Sequence, residues 1–190
     1  ILVLGAAADA GGRVPNLPSA FERAPATSDQ LPGSFQGIPG DGRPYDSRRI
    51  ATLSGTKRHW SVYIFKQRIK NRLLAAKPRL NICLFVFTDG HGGGGGCSPT
   101  ALFFGPDGAI TASSSRVLAG VASDRVVRLV VVGSQGKRHN VRLSRDKGFI
   151  FNCRAFNGCA CVISRIQAFD RQGNRIANEN WTSRALNCRR

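Results

Sequence analysis

The sequence predicts an all-β fold, an antiparallel sandwich or barrel, and three observations carry that prediction. Short runs rich in β-branched and aromatic residues recur at about ten-residue spacing beyond residue 48. Turn-forming clusters punctuate them, as in Gly105-Pro106-Asp107-Gly108 and Asp170-Arg171-Gln172-Gly173. Six cysteines, an even number, accompany 42% hydrophobic residues in a chain of 190, enough to build a core and staple it.

Taken in order, the chain opens with ILVLGAAADAGG. An apolar run ending in small residues has the character of the back half of a secretory signal peptide with an A-x-A cleavage site, so residues 1–10 are expected to be a signal remnant. Elsewhere no run approaches the roughly 18 apolar residues that span a membrane. Residues 11–47 hold Pro15, Pro18, Pro25, Pro32, Pro39 and Pro44 without a sustained apolar period. Such a stretch buries too little surface to offset its ordering entropy, so it is expected as a largely irregular linker. Phe21, Phe35 and Tyr45 are its candidates for docking elsewhere.

Residues 48–190 are read as a single β domain. Expected strands are Ile50–Ser54, Trp60–Phe65, Ile82–Phe87, Ala101–Phe104, Arg125–Val132, His139–Leu143, Phe149–Phe151, Val162–Phe169 and Asn174–Ala177. Residues 66–77 interrupt the pattern. They are mostly helix formers, with Ile69, Leu73 and Ala76 at helical spacing and Pro78 as a stop. One or two helical turns are expected there, with a long hairpin arm as the alternative.

The run RVLAGVASDRVVRLVVVGSQGKRHNVRLSRDKGFIFNC, followed by VISRIQAFDRQGNRI, resembles a module of secreted actinobacterial proteins. In that module a GVVPDGV start leads into a strand, a DG-type hairpin, a second strand, an FxV strand and a closing xAYDxxGxxV strand. The match spans residues 117–177, under a third of the chain. It departs from the pattern at Gln135-Gly136, which replaces Asp-Gly, and in the cysteines at 153, 159 and 161. The resemblance implies an immunoglobulin-like β-sandwich and an extracytoplasmic setting. It transfers no activity and no site.

Residues 90–96 are glycine except for His91. A phosphate cradle needs glycines that lead into a helix N-terminus, with Lys and Ser or Thr at fixed offsets. Here they lead to Cys97-Ser98-Pro99-Thr100, and no G-K-[ST] is present. The alternative is mechanical. Cys83 precedes the glycines and Cys97 follows, so a bond between them would make this run the flexible return of a stapled hairpin. In the chain-entropy model such a loop contributes about 3 kcal/mol.

Cys153, Cys159 and Cys161 lack the C-x2-C spacing of zinc ribbons. Disulfides Cys153–Cys159 and Cys161–Cys188 are one arrangement among the 15 that six cysteines allow. No metal or other cofactor is expected. His59, His91 and His139 are dispersed, several carboxylates sit beside turn glycines, and neither G-x-S-x-G nor H-E-x-x-H occurs. No catalytic residue is therefore assigned, although a site assembled from distant residues stays open as an alternative.

Charge is the strongest compositional signal. Lys and Arg number 28 against 11 Asp and Glu, a net charge of +17. Such a surface attracts anionic polymers of wall or matrix, or nucleic acid. Between Arg43 and Arg79 there are eleven basic residues and one acid, Asp46. Lys66, Arg68, Lys70, Arg72, Lys77 and Arg79 are the candidate ligand-binding set, with Trp60, Tyr63 and Phe65 just before them. If both faces of that strand are covered, no aromatic ring remains to stack. No recognised nucleic-acid motif is present. The expectation is a non-catalytic exported binding domain, extracellular or in the cell envelope, that takes an anionic polymer or an envelope component. The alternatives are a nucleic-acid-binding domain and a secreted enzyme.

Overall fold

The computed structural model describes residues 17–33, 35, 37, 42–55, 58–69, 79–105, 107–114, 117–152, 160–161, 163–181 and 186–187. The expected signal remnant, residues 70–78, and Cys153, Cys159 and Cys188 lie outside them. The fold is all-β and antiparallel. Strands β1 (Tyr45–Ser54), β2 (His59–Ile69), β3 (Arg79–Thr88) and β4 (His91–Pro99) form a meander in chain order. Next come β5 (Ile110–Ser114), β6 (Leu118–Ala122), β7 (Arg128–Gly133), β8 (Arg138–Val141) and β9 (Gly148–Phe151). The chain closes with β10 (Ala160–Cys161), β11 (Ile163–Phe169), β12 (Arg175–Asn180) and β13 (Leu186–Asn187). These make a three-stranded sheet β5-β6-β9, a four-stranded sheet β12-β11-β7-β8 and a short β10-β13 pair.

Side-chain alternation along β6 explains how the sheets stack. Leu118 and Ala122 join a core with Leu129, Val131, Phe149 and Ile166. Ala119 and Val121 join a second core with Val62, Ile64, Ile82 and Leu84. Successive residues of a strand point to opposite faces, so the three-stranded sheet is a wall shared by both cores. All five residues of β6 are buried, as a strand covered on both faces requires. Strand β9 lies against β1, and β5 lies against β3 and β4, so the meander and the shared sheet wrap around the second core. Each fully buried Ile, Leu or Phe in these clusters stabilises the fold by about 1.5–3 kcal/mol.

Strand β2 is buried on both faces as well. Trp60, Val62 and Ile64 enter the second core. Tyr63 and Phe65, 5% and 0% exposed, point the other way. There Phe35, from the stretch read as linker, packs its ring centroid 5.5 Å from Phe65, 4.9 Å from Phe85 and 5.1 Å from Phe87.

Three sequence expectations need correction. First, residues 66–69 are not helical. They continue β2 in register with Arg79–Ile82 of β3, and Gln67 is fully buried, donating from Nε2 to the Gly42 carbonyl at 2.8 Å. Cross-strand pairing overrides local helix propensity here. Second, Ala101–Phe104 is no strand. Thr100–Leu102 is a 3-10 turn, and the adjacent Phe103 and Phe104 are both buried, which one face of a strand does not allow. Third, the glycine run is not a slack return. It forms β4, paired with β3 from Thr88↔His91 to Asn81↔Pro99. Asp89 (φ 52°) and Gly90 (φ 78°) make the tight two-residue turn between them. Strands β5 and β6 had no counterpart among the expected strands.

The expected bond is present. Cys83 and Cys97 face each other in the β3–β4 ladder and are joined by a disulfide. Two places in the polyglycine strand differ sharply. A Cβ on Gly95 would run into the Leu84 carbonyl oxygen and lie 2.7 Å from both Cα and Cγ of Phe85, whose side chain takes up that space. A Cβ on Gly96 would meet nothing within 4 Å. Gly95→Ala is therefore expected to cost about 1–3 kcal/mol, and Gly96→Ala to stay within about 0.5 kcal/mol of wild type. Urea denaturation of the two variants checks this, and equal losses would overturn it.

The segment before β1 is tied down by charge. Residues Ser19–Glu22 and Thr27–Asp29 form 3-10 turns, and β1 itself begins at Tyr45, inside the stretch read as linker. Asp29 is 2% exposed. It accepts from Arg23 Nη1 and Nη2 at 2.6 and 2.8 Å, and from the backbone N–H groups of Ala26 and Arg49 at 2.8 Å each. Arg23 Nε donates at 2.8 Å to Asp146, on the turn between β8 and β9. Burial opposes ionisation of Asp29, but the guanidinium fork and the two N–H donors outweigh it. They hold its carboxyl well below the usual carboxylate range.

Candidate functional site

Of the six basic residues singled out in the sequence, Lys70, Arg72 and Lys77 lie outside the described residues. Lys66 is committed to Asp46, which also takes Arg48 at 2.7 Å, and its ammonium sits 4.6 Å from the Phe21 ring centroid. Both faces of β2 are covered, so Trp60, Tyr63 and Phe65 are buried and offer no stacking surface. Arg68 and Arg79 remain exposed at the far end of the β2–β3 hairpin. The structure thus keeps two of the described three cations free and neutralises the third.

A cleft of about 400 Å³ lies beside the N-terminal segment, lined by Pro25, Thr27, Gln30, Asp29, Asp46 and Arg48. Its charges are already matched, Asp29 by Arg23 and Asp46 by Arg48 and Lys66. Among the described residues no cluster of His, Cys, Asp and Glu could hold a metal ion. The Ser54 hydroxyl lies 2.9 Å from His59 Nδ1. Asp89 accepts from the backbone N–H of His59 rather than from its ring, so this carboxylate does not orient the imidazole as a catalytic triad would.

A larger charged feature covers the outer face of the β12-β11-β7-β8 sheet. Leu129 and Val131 of β7 and Ile166 and Ala168 of β11 point into the first core, so the alternate residues point outward. The register aligns them in rows. One row runs Asn180, Arg165, Val132, Arg138 and the next Asn178, Gln167, Val130, Asn140. A third holds Phe169 with Arg128, and a bulge in the β11–β12 ladder sets Arg175 on the other side of Phe169. Neighbouring strands are about 4.8 Å apart, so Arg165 and Arg138 are separated by roughly 10 Å at the backbone, and rows by about 7 Å.

The chemistry of this face is one-sided. Arg128, Arg138, Arg165 and Arg175 are exposed, and none forms an ion pair among the described residues. Glu179 is the one acid in these four strands. It pairs with Ile166, so it belongs to the opposite face, where burial and Asp107 raise its pKa. Asp170, just after β11, is engaged by Asn174 through its backbone N–H at 2.8 Å and its side chain at 3.2 Å. Beneath the arginines Val130, Val132 and Phe169 form a small apolar floor. The Arg128 guanidinium lies 3.9 Å from the Phe169 ring centroid. Arg138 Nη2 donates to Gln167 Oε1 at 3.0 Å, and Gln167 Nε2 donates to Asn178 Oδ1 at 2.9 Å.

Sequence reasoning missed these arginines because they stand on four strands between residues 128 and 175. Alternation within β7 and β11 marks Arg128 and Arg165 as outward, but only the pairing brings them beside Arg138. Cys161 lies in β10, whose backbone pairs it with Leu186. Comparison of the chain with protein-family models, with curated proteins and with solved structures finds no match.

Proposed function

We propose that this chain is a non-catalytic exported binding domain that holds an anionic polymer on the outer face of the β12-β11-β7-β8 sheet. The observation that carries the reading is the row-aligned set of arginines on a face with no carboxylate among the described residues. A field of one sign over a partly apolar floor concentrates polyanions beside guanidinium N–H groups that can bond them. The net charge of +17 acts in the same direction at longer range.

Export is supported by the Cys83–Cys97 disulfide, by the even cysteine count and by the apolar opening run. No helix among the described residues is long and apolar enough to cross a membrane. The resemblance of residues 117–177 to a secreted module belongs to the same reading. Its immunoglobulin-like form is supported by the sheet orders β5-β6-β9 and β12-β11-β7-β8, seven strands packed around one core. Cys83–Cys97 lies within the meander, outside those seven strands.

The test is a salt titration of binding to heparin and to single-stranded DNA by wild type and by a triple variant, Arg128→Gln, Arg138→Gln and Arg165→Gln. Loss of three phosphate contacts should flatten the slope of log K against log salt for the single strand by about 2. Heparin affinity should fall in parallel at about 0.15 M salt. An unchanged slope and affinity would remove this face from consideration.

A further inference from the structure

We infer that the polymer this face takes is a carboxylate-bearing polysaccharide rather than a nucleic acid. The inference rests on the polyanion reading above and adds the ligand class. Three observations converge on it.

The first concerns stacking. Single-stranded nucleic acid is held by a basic groove together with aromatic rings on which bases stack. Among the described residues Phe169 is the aromatic residue on this face, 8% exposed and with Arg128 laid over it at 3.9 Å. The other large aromatic cluster, Tyr63, Phe65, Phe85 and Phe87, is packed among its own rings or under Phe35. The ring that a base would need is occupied by a cation.

The second concerns donor direction. Gln167 spends its oxygen on Arg138 and its NH2 on Asn178, and Asn178 spends its oxygen on Gln167. Across the rows the arginine N–H groups stand beside the amides of Asn140, Asn178 and Asn180, so donors outnumber acceptors and a partner rich in acceptors is favoured. A base edge presents donors and acceptors together. A uronate unit presents a carboxylate and ring oxygens that only accept, beside hydroxyls that both donate and accept.

The third concerns the shape of the cation. The Arg128 guanidinium carbon sits 3.9 Å over the Phe169 ring centroid, and a guanidinium carries its N–H donors as a planar fork. That fork matches a planar carboxylate bidentately. Arg165 and Arg138, roughly 10 Å apart across Val132, provide further forks along a line perpendicular to the strands. A linear polymer with carboxylates at regular intervals can engage them in succession.

The experiment compares three probes on the full chain at about 0.15 M salt: a polygalacturonate oligomer, its methyl-esterified form, and single-stranded DNA of matched charge. Wild type is compared with Arg165→Lys, which keeps the charge but loses the fork, and with Arg165→Gln. Circular dichroism melts confirm that these exposed variants fold. Polygalacturonate is expected to bind about tenfold tighter than the DNA of matched charge, the difference one charge-assisted pair makes, and at least about a hundredfold tighter than the neutral ester, which loses several such pairs. Arg165→Lys should remove most of that preference while leaving DNA binding within about twofold. If DNA binds as tightly as polygalacturonate and Arg165→Gln weakens both alike, the ligand class proposed here is wrong and the broader polyanion reading stands. If Arg165→Gln weakens neither probe, the reading of this face falls with it.

Discussion

Asp29→Ala is expected to destabilise the protein by about 3–5 kcal/mol, the range for removing one partner of a buried ion pair. Asp29 is nearly inaccessible and takes four hydrogen bonds, two from Arg23 and one each from the N–H groups of Ala26 and Arg49. Truncation leaves two backbone donors and a guanidinium without their acceptor. It also loosens three parts of the chain together, because Arg23 bridges Asp29 to Asp146 and the Asp29 carboxylate holds the Arg49 N–H of β1. The sign of the pH dependence follows from the carboxyl. Its folded pKa is depressed below an unfolded value of about 3.9. Its stabilisation is thus complete above about pH 5, shrinks as the pH drops below about 4, and vanishes once the pH passes below the folded value. Urea denaturation of wild type and variant at pH 7, 4 and 2.5 should therefore show a wide gap that narrows with acid. A gap of constant width across that range would mean that Asp29 does not act through its charge.

Gly148→Val is expected to cost on the order of 3 kcal/mol or more, at the upper end of overpacking effects. Gly148 opens β9 where that strand abuts β1. A Cβ there would collide with the Ile50 carbonyl oxygen and lie 2.6 Å from the carbonyl carbon. The obstacle is backbone, so no rotamer change relieves it. The Ser144 hydroxyl bridges the same seam, donating to the Ile50 carbonyl at 2.5 Å and accepting from the Gly148 N–H at 3.0 Å. Parting the strands therefore breaks hydrogen bonds and opens the core that Ile50 helps to seal. Thermal melting checks the prediction. A melting temperature within about 2 °C of wild type would show that the two strands are free to part at little cost.

The pattern of alternation was enough to place most strands. Trp60–Phe65, Ile82–Phe87 and Val162–Phe169 read as strands from composition and bounds, and each lies within or mostly within an observed one. Asp89-Gly90, one of the carboxylates beside a turn glycine, turns the chain because Asp and Gly tolerate positive φ, and both adopt it. Cys83 and Cys97 read as partners because one short loop separates them, and they are bonded. Where reading failed, local preference was outvoted by partners distant in sequence. Lys66–Ile69 favours helix by itself, yet β3 completes its ladder. Gly92–Gly96 has no side chains with which to announce a strand, yet β3 recruits it, and Phe85 occupies the space a Gly95 side chain would need.

What the sequence determined alone was whatever depends on spacing along the chain: the strand period, the turn chemistry, the excess of positive charge and the disulfide between Cys83 and Cys97. Tertiary structure decided which charges are spent and which are available. Lys66 met Asp46 across a ladder, and Arg23, besides meeting Asp29 nearby, met Asp146 across 123 residues. Arg128, Arg138 and Arg165 became a face only because β7 pairs with both β8 and β11. A one-residue change in either register would turn one of those strands over and scatter the arginines between core and solvent. Register is a property of pairs of strands, and no single stretch of chain contains it.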